Sequence, residues 1–93
     1  MSNNYGMFTK QGNQRIAAIM VPLKEKPSHD EVVKVIATYL KFAYRRTRKT
    51  MLEASDTAVR EAVFSDVQDA VGGNWSTADT LWQQAEERVF CRH

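Results

Sequence analysis

The 93-residue chain has one cysteine, Cys91. A single thiol closes no internal disulfide, which excludes a cystine-stapled secreted scaffold. Two prolines and four glycines are too few for a collagen-like or linker-like chain. No apolar run nears the ~18–20 residues that a membrane span needs. The opening Met1-Ser2-Asn3-Asn4 has neither the charged nor the apolar region of a secretory signal. A length of 93 residues suits one domain. The expectation is a single soluble, cytoplasmic domain over 1–93, in a bacterial or host cell, with no membrane partner.

Groups that do chemistry are as scarce. His29 opens a helix and His93 closes the chain, and neither has the neighbours that activate a base or a nucleophile. Cys91 and His93 supply two potential zinc ligands where a structural site takes four. Gly6, Gly12 and Gly72-Gly73 fit no phosphate-cradling spacing. Glu86 and Glu87 are helix neighbours ~100° apart and cannot work as a pair from one face. No enzyme, cofactor or metal site is therefore expected.

What the chain does have is a normal share of apolar residues, 43%, and a lopsided distribution of charge. Residues 1–52 hold ten Lys/Arg against three acids, and residues 53–93 hold three against eight. Halves of opposite sign suggest a binding surface, or halves that satisfy each other.

Residues 5–10 and 15–21 are rich in aromatic and β-branched side chains, with Gln11-Gly12-Asn13-Gln14 between them. Gly and Asn accept positive φ cheaply, so 5–21 reads as a β-hairpin. Residues 16–21 are apolar without a break, which predicts a strand covered on both faces. A lone hairpin is marginal in water. A homodimer joining two hairpins through Ile19 and Val21 follows from that reading.

Three helices should come next, over 28–52, 56–71 and 77–90. Ser28 and Glu31 form a capping box, and Ser76 and Asp79 form another. Ser55-Asp56 marks the start of the middle helix and Gly72-Gly73 its stop. The fold class expected is therefore α+β, a hairpin followed by three helices (ββααα), the first helix longest. Residues 1–4 should fray.

The first helix carries the strongest signal. Val32, Ile36, Tyr39, Leu40 and Ala43 gather on one side, while Lys34, Thr38, Lys41, Arg45 and Arg48 run along the other at steps of four, three, four and three. Arg46 and Lys49 widen the stripe, and Tyr44 stands at its edge. Five cations lie in the nine residues 41–49. Such a stripe attracts nucleic-acid phosphates or an acidic protein surface, or is simply the helix's solvated face, and Tyr44 could stack on a base. Phe64, off the valine stripe of its helix, and Trp75, in the loop before the last one, are further interface candidates.

These features predict a small non-enzymatic interaction protein of phage or plasmid style. It would bind a larger macromolecular complex as an inhibitor or regulator. The other reading is a dimeric nucleic-acid-binding regulator that uses the basic face of helix 28–52.

Overall fold

A computed structural model describes Tyr5, residues 10–50 and residues 54–90, with the side chains of 44–50 and 54–56 outside the description. Four α-helices make up most of it: α1 (Lys10–Met20), α2 (His29–Thr50), α3 (Ala54–Ala70) and α4 (Trp75–Phe90). A 3-10 turn, Val21–Glu25, joins α1 to α2. There is no strand among the described residues, so the expected hairpin, and with it the α+β class, is wrong. None of their helices is long and apolar enough to cross a membrane.

The segment read as a strand is helical for a local reason. Its apolar run contains Ala17 and Ala18, and alanine is the best helix former and poor in strands. Burial follows helical spacing: Ile16 and Met20 are buried, and Ala17 and Ile19 are partly covered. Gln11, Gln14, Arg15 and Ala18 are exposed. An unbroken apolar run thus has one covered face, not two. A dimer through paired hairpins loses its basis with the hairpin. Ile19 sits near the end of α1, and Val21 opens the 3-10 turn at 51% exposure. Pro22 lies in the first positions of that turn, and Lys26 ends it in the left-handed region, at φ 46°.

Helix α2 begins at a reciprocal cap. The Glu31 amide donates to Ser28 Oγ at 3.2 Å, and the Ser28 amide donates to Glu31 Oε1 at 3.1 Å. Each bond satisfies a donor that the first turn would otherwise orphan. Ser28→Ala is expected to cost about 1 kcal/mol. In a domain of this size that lowers Tm by ~4–8 °C. An unchanged melting curve would mean that the cap contributes nothing.

The core is built from all four helices. On α2, Val32, Val33, Val35, Ile36, Ala37, Tyr39 and Leu40 are buried, covering most of its circumference. Helix α2 packs most extensively on α4, which offers Ala78, Leu81, Trp82 and Ala85. Helix α3 adds Val59, Val63 and Val67, one per turn. Trp82 is where three helices meet, with the Tyr39 ring at 5.9 Å and the Phe64 ring at 5.6 Å between centroids. The Arg60 guanidinium lies 5.2 Å over its ring and also pairs with Glu86 at 3.3 Å. Trp82 Nε1 is buried with no hydrogen-bond acceptor.

Helix α3 ends where Gly72 and Gly73 adopt φ of 77° and 83°. The Gly73 amide reaches back to the Gln68 carbonyl at 2.8 Å, and the Gly72 amide to that of Asp69 at 3.2 Å. This is a Schellman closure, for which only glycine avoids strain. The cap of α4 is not the Ser76 box. Asn74 Oδ1 accepts from the Thr77 amide at 3.0 Å, and Asp79 instead accepts from Gln83 Nε2 at 2.8 Å. Asn74 is as good a cap as serine and comes first, so the helix starts at Trp75.

Tyr5 is held by both α3 and α1. Its hydroxyl donates to Asp66 Oδ2 at 2.8 Å, and its amide donates to Asn13 Oδ1 at 2.7 Å. Burial, the hydrogen bond to Asp66 and the negative charge of that carboxylate push the phenol up from 10.0 to about 12. The folded state therefore favours the neutral phenol. Its contribution is complete below pH 10 and is lost as pH rises from 10 towards 12. Wild type should lose stability over that window faster than Tyr5→Phe in urea titrations. Parallel losses would show that the bond is not formed in solution.

Candidate cationic binding face

The exposed side of α2 is narrow. His29, Asp30, Glu31, Lys34, Thr38 and Lys41 are exposed, while the other described positions after Glu31 are buried or partly covered. Asp30 pairs with Lys34 at 3.6 Å, and the Thr38 hydroxyl donates to the Lys34 carbonyl at 2.9 Å. The first two turns thus hold two acids, Asp30 and Glu31, against one base, Lys34. An exposed pair of this kind contributes little to stability, but it does cancel charge.

Beyond Lys34 the helix's own acids end. Residues 32–52 contain no acid at all. The backbone stays helical to Thr50, so positions 45 and 48 follow Lys41 in the same register, with position 49 close by. The side chains of Tyr44, Arg45, Arg46, Arg48 and Lys49 lie outside the described residues. Their positions on the helix are set by its backbone. Position 46 falls in line with the row that buries Val35 and Tyr39 higher up, so the cationic arc is wider at this end than at the start.

Folding alone does not account for this run. Like charges three and four residues apart destabilise a helix by ~0.2–0.5 kcal/mol per pair. Cations in a last turn are favoured by the helix dipole, which covers Arg48 and Lys49. Lys41 and Arg45 lie outside that turn and gain nothing from it.

A residue absent from the expected site comes from α1. Arg15 is exposed, and its guanidinium carbon stands 5.9 Å from the centroid of the half-buried Phe42 ring. In the helix, Phe42 neighbours Lys41 and, one turn on, positions 45 and 46. Helix packing therefore brings a cation of α1 to the edge of the α2 run. Reading 15–21 as a strand hid this; a helical reading would have put Arg15 on the polar face with Gln11 and Ala18.

The apolar candidates divide. Phe64 packs on Trp82 and, at 6.2 Å, on Trp75, so it links the core to the surface and is not a free anchor. Trp75 is 58% exposed at the first residue of α4. His29 is exposed at the start of α2, and Cys91 and His93 lie outside the described residues. Among the described residues no three His, Cys, Asp or Glu side chains group closely enough to hold a metal ion.

Compared with known proteins, the chain matches no family model, no curated protein and no solved structure.

Proposed function

We propose that this chain is a small non-enzymatic interaction protein that covers an anionic surface of a larger macromolecular complex, as an inhibitor or regulator does. The observation that carries the reading is the acid-free stretch of α2, in which Lys41 is exposed and four more cations follow by residue 49. A row of cations with no acid in its own stretch of helix attracts polyanions from a distance and holds them at contact. Its helical backbone spares part of the ordering cost that a disordered basic tail pays on binding.

Charge reversal at Lys41, Arg45 and Arg48 tests this. Lys41 is exposed, positions 45 and 48 share its register, and surface substitutions usually change stability within about 0.5 kcal/mol each. The triple Glu variant should stay folded by circular dichroism and lose retention on immobilised heparin, where wild type should need added salt to elute. A folded triple variant that elutes with wild type would refute the reading. Lys34→Ala should leave elution nearly unchanged, because Asp30 already offsets that charge.

A further inference from the structure

Arg15 of α1 stands beside the ring of Phe42, the residue that follows Lys41 on α2. We propose that Arg15 and the α2 run form one two-helix face which binds the phosphate backbone of double-stranded nucleic acid without reading its sequence. This rests on the cationic-face reading above and names its partner.

Charge spacing favours phosphate over an acidic protein. Residues 41–49 rise ~12 Å along the helix at ~1.5 Å per residue. Five cations in that length give one per ~2.5–3 Å. A nucleic-acid strand carries one phosphate per ~3.4 Å, and a duplex one per ~1.7 Å of axis. At ~100° per residue the five positions spread over about 160° of the helix, wider than one row of carboxylates on a partner helix can meet, whereas a duplex presents phosphates from two strands.

Geometry adds a second point. Helix α1 contains no acid, and its exposed side offers Gln11, Gln14 and Arg15, all able to donate to phosphate oxygens. The Phe42 ring beneath Arg15 holds a guanidinium in place while its edge can still donate. The acids of α3 and α4 are partly engaged elsewhere: Asp66 accepts from Tyr5, Glu86 pairs with Arg60, and Asp79 accepts from Gln83. Contacts restricted to phosphate position a protein and carry no sequence information, so unrelated sequences should bind alike.

The experiment is a fluorescence-anisotropy titration of a short mixed-sequence DNA duplex against wild type, Arg15→Ala, Arg15→Lys and the triple Glu variant, repeated over a salt series. Polyglutamate is the competitor that stands for an acidic protein. Arg15→Ala should bind about tenfold more weakly, with a log–log salt slope shallower by about 0.9, the contribution of one neutralised phosphate. Arg15→Lys, which keeps the charge, should keep the slope. Melting curves check that both variants are folded. If Arg15→Ala keeps the wild-type slope and affinity while the triple variant loses binding, the two-helix face is refuted and the α2 reading survives. If polyglutamate displaces the duplex at equal charge concentration, the partner is an acidic protein surface and the nucleic-acid assignment fails. If wild type binds neither polymer, both readings fail together.

Discussion

Replacing Trp82 by alanine should cost about 3–5 kcal/mol, a large part of the ~5–14 kcal/mol that a 93-residue domain typically has. The indole is 3% exposed and touches α2 through Tyr39 and α3 through Phe64 and Arg60. Its removal opens a cavity at the junction of three helices and strips Arg60 of its ring. Trp82→Phe should be far milder. Phenylalanine keeps an aromatic surface and deletes a buried N–H that has no acceptor, a group whose burial costs about 1–3 kcal/mol. Urea denaturation measures both. Equal losses for the two variants would show that aromatic packing at this position does not hold the helices together.

The second large effect concerns the segment that sequence patterning misassigns. Ala18 is exposed in the interior of α1, so its substitution disturbs the backbone more than the packing. Ala18→Pro should cost about 3 kcal/mol, by removing a helical hydrogen bond and clashing with the preceding turn. Ala18→Val should cost a few tenths of that, because β-branching restricts χ1 in a helix. A strand would reverse the sign for valine, which favours extended backbone. A stabilising Ala18→Val, with Ala18→Pro tolerated, would restore the hairpin and remove Arg15 from the binding face.

Local signals were readable and tertiary ones were not. The Ser28–Glu31 cap depends on residues three apart, and the structure forms both of its bonds. The glycine pair stops α3 because its positive φ angles are a property of glycine itself. A Ser-x-x-Asp pattern resembles a capping box and points to Ser76, yet the earlier competent cap, Asn74, prevails. Residues 16–21 suggest a hairpin strand only when all six count as equally apolar. Alanine contributes to that count while favouring helix, and its small surface is exposed at little cost. Lys34 and Lys41 could be placed on the open side of α2 by periodicity alone. Arg15 could not, since its place beside Phe42 depends on how α1 docks on α2. Nor could the Tyr5–Asp66 bond, which joins residues 61 apart.

One measurement addresses the binding face directly: 15N–1H correlation spectra of the protein during titration with a short DNA duplex. Amide shifts or broadening are predicted at Gln11, Gln14, Arg15, Lys41, Phe42 and on through 45–49, with Lys34 weaker. The α3–α4 corner at Phe64 and Trp75 should stay silent. Perturbation centred on Trp75 and Phe64, with Arg15 and Lys41 unmoved, would contradict a cationic two-helix face.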